Sequence, residues 1–324
     1  MAKPPQELHE KLPVELWIRI SNDLEPEDVL FFGQTCRNLR QMLSCKSVWI
    51  PLLDSICHKY KLFRPSYPVD EMTLVEIQCA TLGPYRWTKM VGNHHKRNPT
   101  PLDIVSTVPL EPFCKSDTST DPVWLDRYRQ FLVPGGRFAV TCDQKFLSLW
   151  DLGVVAKGSL SPPALISKVA FKYSGAGPPE EEDLSANDDS DWWMYVCASG
   201  EDTLRIALAT CDHPWTWRAK VYEICPGSKE PTFSEIAELH TPFVPPFFVM
   251  FEIRLVANYL LSPMGDSRYL IWDYVRGVYS LLQMESEIIH PVRILTISPF
   301  FMKIQADSIL LTSVKSNSLS NPMS

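Results

Sequence analysis

The spacing of apolar side chains changes once along this chain of 324 residues, and that change limits what it can build. Between Leu12 and Tyr60 apolar residues recur every three or four positions, the period of helices covered on one face. From about residue 128 they come instead in short runs rich in β-branched and aromatic residues, cut by Gly, Pro, Asp and Asn, which is the pattern of strands and turns. The two patterns occupy separate stretches, so the chain reads as an α+β multidomain protein with a small helical unit followed by an all-β domain. A composition of 45% apolar and 21% charged residues is ordinary for a chain that folds.

Within the first stretch four short helices are expected. Pro13 suits a first turn, where its missing N–H would have no partner in any case, and Leu12, Leu16, Ile20 and Leu24 follow at four-residue steps. Glu25-Pro26-Glu27-Asp28 breaks and restarts the helix, because proline disfavours helix in the residue before it and the acids suit the next N-terminus. A second helix then runs from Val29 to Gln34, a third from Cys36 to Leu43, and a fourth from Ser47 to Tyr60 that buries Val48, Trp49, Leu52, Leu53 and Ile56. A unit this small lacks the interior to bury Leu12, Leu16, Trp17, Ile18, Ile20, Leu24, Leu30, Phe31 and Phe32 together, so some of them are expected to face a partner.

The succession Leu12-Pro13, Glu15-Leu16, Ile20 and Leu24, Asp28-Val29-Leu30, Cys36-Arg37 and finally Trp49 resembles the F-box family. The resemblance implies an F-box domain over residues 11–60 that docks onto the Skp adaptor of a cullin and RING-finger ubiquitin ligase. It carries over Leu12, Pro13, Leu16, Ile20 and Leu24 as contact residues of the first helix, with Leu30, Cys36 and Leu39 from the second and third. Trp49 would hold the module together. The chain would then be the substrate-recognition adaptor, with no catalytic residue, metal or cofactor of its own, and its β domain would bind a protein substrate. On the residues alone, a small helical bundle packed against the rest of the chain stays open. So does a propeller-type scaffold, or an F-box protein, acting outside ubiquitination.

Residues 61–125 read as a helical and irregular connector. Leu74, Ile77 and Leu82 place one helix over Met72 to Leu82, and Gly83-Pro84 is expected to end it. Lys89, His94, His95, Lys96 and Arg97 then form a basic surface crossing. It lacks the interleaved aromatics of a nucleic-acid platform, and no nearby Cys or acid completes a metal set around the two histidines.

The β domain, residues 126–312, contains two similar hairpins. In the first, a Pro134-Gly135-Gly136 turn leads to a strand over Arg137 to Thr141, a turn at Asp143 to Lys145 and a strand ending at Trp150-Asp151. In the second, a strand over Val256 to Leu261 is followed by a Gly265-Asp266 turn and a strand ending at Trp272-Asp273. The Trp-Asp pairs are 122 residues apart, about three periods of a WD-type blade. Trp193 to Leu208 and Trp217 to Cys225 are candidates for blades in between. The whole resembles the WD-repeat propeller that follows the F-box in many family members, although residues 126–324 leave room for only four or five blades of roughly 40 residues. The ring is then small, open or incomplete. Trp150 and Trp272 are expected to pack between sheets.

Other function classes find little purchase. No P-loop, G-x-S-x-G or H-E-x-x-H sequence occurs, and Cys197 with His213 is the sort of thiol–imidazole pair any chain of this composition offers. Nine scattered cysteines without a C-x-x-C pair read as reduced thiols. The net charge of −7 disfavours nonspecific binding to nucleic acid or anionic lipid. The first residues carry no apolar leader, and the apolar stretch Pro242 to Pro263 is broken by Glu252, Arg254 and prolines, so neither nucleic acid nor membrane is expected as a partner and the cytoplasm or nucleus is the expected location. The acidic run Glu180 to Asp183 reads as a solvated loop, and residues 1–10 and 313–324 as disordered tails.

Overall fold

The computed structural model describes residues 13–97, 129–142, 146–154, 162–170, 191–212, 216–241, 253–263 and 268–283. The chain divides into two compact units: one comprises Met1–Thr120, Leu132–Ala139 and Trp150–Leu165, and the other comprises Asp121–Phe131, Val140–Leu149 and Ile166–Ser324. Leu12, the Asp143–Lys145 and Gly265-Asp266 turns, His213 and the acidic run from Glu180 to Asp183 lie outside the described residues.

The first unit is led by α1 (Val14–Asn22), α2 (Pro26–Gly33), α3 (Arg37–Leu43), α4 (Lys46–Tyr60) and α5 (Leu74–Arg97). Local chemistry sets their ends. Pro26 opens α2 in its first turn, followed by Glu27 and Asp28 where the helix dipole favours acids. Cys36 caps α3 through its Sγ, which accepts from Leu39 N at 3.5 Å. Lys61 closes α4 in the left-handed conformation, with Leu62 N donating to Cys57 O at 2.8 Å. Thr73 and Glu76 form a reciprocal capping box at the head of α5: Thr73 N donates to Glu76 Oε2 at 2.6 Å and Glu76 N to Thr73 Oγ1 at 3.3 Å.

The core of this unit joins Val29, Leu43, Trp49, Leu53, Met72 and Ile77 with Val154, a residue more than fifty positions beyond the last helix. The turn at Pro134 to Gly136 belongs with the helices too. Phe63 N donates to Pro134 O at 2.8 Å, and the Phe63 and Phe138 rings meet edge to face at 6.1 Å. Gly135 is at φ +111°, and a Cβ there would lie 2.6 Å from Ser66, so only glycine fits.

The strands are β1 (Arg129–Leu132), β2 (Phe138–Cys142), β3 (Phe146–Asp151), β4 (Ala164–Ala170), β5 (Asp191–Ser199), β6 (Thr203–Asp212), β7 (Thr216–Ile224), β8 (Ser234–Thr241), β9 (Arg254–Val256), β10 (Tyr259–Pro263), β11 (Arg268–Asp273) and β12 (Val278–Gln283). They form three four-stranded sheets, each a meander in chain order, the construction of a propeller blade. N-terminal helices followed by such sheets are the expected α+β architecture. In the second unit, Ala207, Ala209 and Ala219 of β6 and β7 share one core with Trp217, Leu260 and Trp272, the small side chains leaving volume for the indoles.

Three expectations need correction. Trp193 to Leu208 and Trp217 to Cys225 are not two blades: they supply β5, β6 and β7 of a single sheet, because only residues 213–215 lie between β6 and β7 and the two pair in unbroken register from Asp212↔Thr216. The strand expected over Val256 to Leu261 is a hairpin, β9 and β10, turning at Ala257-Asn258. Ala257 takes φ +52° there, the positive value a two-residue hairpin loop demands, with no glycine to announce it. Finally, Gly83-Pro84 does not end the connector helix. Proline removes one N–H, Gly83 has open space around it, and α5 runs on to Arg97. The basic crossing, with His94 and His95, is helix.

Candidate protein-docking face

α1 sits against its unit by one side only. The Trp17 indole is buried 5.5 Å from the Phe32 ring, Ser21 is buried with its Oγ donating to Trp17 O at 2.7 Å, and Ile18 and Leu24 pack on the edge of the core. With those positions turned inward, Leu16 and Ile20, one helical turn apart, face outward at 43% and 39% exposure. Pro13, at the N-cap, is exposed as well. This apolar pair, left in water on a helix whose opposite face is already covered, makes the outer side of α1 the candidate docking face.

The remaining candidates are placed differently. Leu30 is half-buried against the core, and Cys36 is half-buried at the head of α3, held there by its capping bond. Leu39 is buried, at 6% exposure, so its side chain braces α3 from within. Trp49 is buried in the core and its Nε1 donates to Leu43 O at 2.7 Å, tying α4 to the end of α3. Pro13, Leu16 and Ile20 are thus exposed at the N-cap and on the open side of α1, while Leu24, Leu30 and Cys36 are half-buried and Leu39 is buried.

Phe31, at 63% the most exposed large apolar residue described in α1 to α4, is absent from the contact set that the family resemblance implies. A signal was present: Val29, Leu30, Phe31 and Phe32 are four consecutive apolar residues on a short helix, which cannot turn all of them inward.

The sheets offer scaffold chemistry. Trp150 and Trp272 are buried at the ends of β3 and β11, and Trp272 lies in the core that the second and third sheets share. Asp151 accepts from Arg137 Nε at 3.1 Å and Nη2 at 2.8 Å, and Asp273 accepts from the backbone N–H groups of Val275 and Arg276 at 3.2 and 3.0 Å. The middle sheet has its own version at Tyr222-Glu223 in β7: the ring is buried, and Glu223 Oε2 accepts from Arg205 Nε at 2.9 Å. Arg205 also donates to Tyr274 Oη at 2.8 Å, linking the second sheet to the third. Burial pushes the Cys197 thiol up to about 11 against a weaker opposing pull from Arg205, so the thiol stays protonated and is a poor nucleophile. Among the described residues, no three His, Cys, Asp or Glu side chains cluster as a metal set would, and no helix is long and apolar enough to cross a membrane.

No protein-family model and no curated protein matches the chain. Solved structures do. The WD40 domain of SCAP from fission yeast is similar at 10% identity and a TM-score of 0.30, covering 52% of this chain and 33% of that one. The complex of the fission yeast SREBP–SCAP binding domains is similar at 7% identity and a TM-score of 0.35, covering 61% of this chain and 54% of that one. The chain therefore spans between a third and about half the length of these structures.

Proposed function

We propose that this chain is the substrate-recognition subunit of a Skp-cullin-F-box ubiquitin ligase, docking through α1 and its neighbours and presenting its sheets to a protein substrate. The observation that carries this is the outward Leu16–Ile20 pair on a helix whose other face is already packed. Leu12, Pro13, Leu16, Ile20 and Leu24, with Leu30, Cys36 and Leu39 behind them, form the docking set, and Phe31 is added to it. Each Leu or Ile fully covered by a partner contributes roughly 1.5–3 kcal/mol, so two anchors suffice to decide binding. The adaptor performs no chemistry. It raises the concentration of its substrate beside a ubiquitin-loaded enzyme, and the compartment is the cytoplasm, the nucleus or both.

The test is co-purification of the full chain with a Skp adaptor and cullin, beside a Leu16→Glu, Ile20→Glu double variant. The native chain is expected to capture both proteins and the variant neither, since a carboxylate there removes an anchor and would be buried without a partner. Failure of the native chain to capture the adaptor would falsify the assignment.

A further inference from the structure

α5 is covered along only part of its length. Ile77 and Ala80 are buried, Pro84 is half-buried, and Trp87 and Val91 continue the same line at alternating steps of three and four residues, the spacing of a helix–helix seam. Cover from α4 stops where α4 stops: a cleft of about 230 Å³, lined by Ile56, Lys59 and Tyr60 of α4, Thr81 and Tyr85 of α5, and Glu25, Pro26 and Glu27 at the head of α2, marks the end of the shorter helix beside the middle of the longer one. Beyond it Trp87 is 59% exposed, Met90 45% and Val91 39%, forming an i, i+3, i+4 set of anchors. The charge of α5 itself is one-sided. From Ile77 to Arg97 there is no Asp or Glu, while Arg86, Lys89, Lys96 and Arg97 are all basic in a chain whose net charge is −7.

We propose that the distal half of α5 is a docking surface for an acidic amphipathic helix of a partner protein, which takes up the seam where α4 leaves it. Continuity with the packed half of α5 sets the geometry of the occupant, and the missing carboxylates set its charge. A second copy of the chain is disfavoured as occupant, since two such segments side by side would set basic flanks against each other. An anionic bilayer is disfavoured by the width of the stripe: three side chains in a narrow line suit a groove between helices, whereas a helix lying in a membrane presents a broad apolar face. This surface is separate from the α1 face and does not depend on the ligase reading.

The full chain is titrated against three labelled synthetic helices, followed by fluorescence anisotropy: one with Leu at heptad a and d positions and Glu elsewhere, one with Lys in place of Glu, and one with Ser in place of Leu. Only the Glu–Leu helix is expected to bind, more weakly at high salt. Trp87→Ser with Met90→Ser is expected to weaken it about tenfold or more. Arg86→Glu with Lys89→Glu is expected to weaken it by about tenfold and to abolish its salt dependence. Unchanged circular dichroism melts show that these exposed positions leave the fold intact, and capture of the Skp adaptor, if the native chain shows it, is retained by both pairs. The inference is overturned if the Glu–Leu helix does not bind, if both variants bind it like the native chain, if the variants lose the adaptor as well, or if phosphatidylserine-containing vesicles bind with the same dependence while the helix does not.

Discussion

The helices at the front of the chain and the sheets of the second unit enclose their largest side chains to different extents. In β6, β7, β10 and β11 the bulkiest residues are enclosed, with Trp217, Trp272, Leu260 and Leu270 buried together against a floor of alanines, while Tyr259 and, on the outer strands β8 and β12, Ile236, Val278, Tyr279 and Leu281 are exposed. In α1 and α2 a core built around Trp49 and Leu53 coexists with Leu16, Ile20 and Phe31 in solvent. Volume explains the difference. Two sheets sharing one core can enclose both inner faces, whereas helices of seven to nine residues, here α1, α2 and α3, cover one side each and leave the other to whatever binds there. Under the proposed docking, the exposed apolar residues of the helical module report on a partner, and the buried ones in the sheets report on stability.

Mutation separates the two most sharply at Trp272. Trp272→Ala empties the shared core of the second and third sheets and is expected to destabilise the second unit by about 3–5 kcal/mol, read from denaturant unfolding. Gly135→Ala comes next: a Cβ at positive φ and against Ser66 is expected to lower stability by about 2 kcal/mol and to act on the helical unit, although the residue lies in a hairpin turn of the β region. An effect of similar order is expected at high pH. Burial raises the thiols of Cys57 and Cys197 from 9.0 to about 11, so both stay protonated in the fold while the unfolded chain ionises first. Their contribution is complete below pH 9 and lost as the pH rises through 11; the melting temperature should fall across that window, and fall less in Cys197→Ala. Smallest of all, Leu16→Glu with Ile20→Glu should shift stability by no more than about 0.5 kcal/mol, because neither side chain belongs to the core. A large loss there would erase the contrast between the two regions.

Much of this could be read from the residues. The 3.6 period located α1 to α4, and the apolar-Trp-Asp endings located β3 and β11, because burial on one face leaves a mark in the spacing. Which side of α1 faces in was not legible: Leu16 and Trp17 are adjacent and both apolar, and only packing against Phe32 turns the indole inward. The turn at Ala257-Asn258 lacked glycine, and its conformation is held from outside the hairpin by Tyr274, whose hydroxyl donates to Ala257 O at 2.6 Å. Tyr222-Glu223 went unnoticed as the third aromatic–acid ending because it shares the chemistry of Trp-Asp without its letters. The length of α5 was hidden by treating Gly83-Pro84 as a stop, when a proline in a helix that is packed on one side need only sacrifice one hydrogen bond.

Hydrogen exchange of the full chain, alone and with a Skp adaptor, tests the central claim most directly. Slowed exchange confined to α1 and α2 on addition of the adaptor, with β5 to β12 unchanged, is the predicted result. Unchanged exchange in α1, or protection that appears only in the sheets, would contradict the account and return Leu16, Ile20 and Phe31 to the status of unexplained surface.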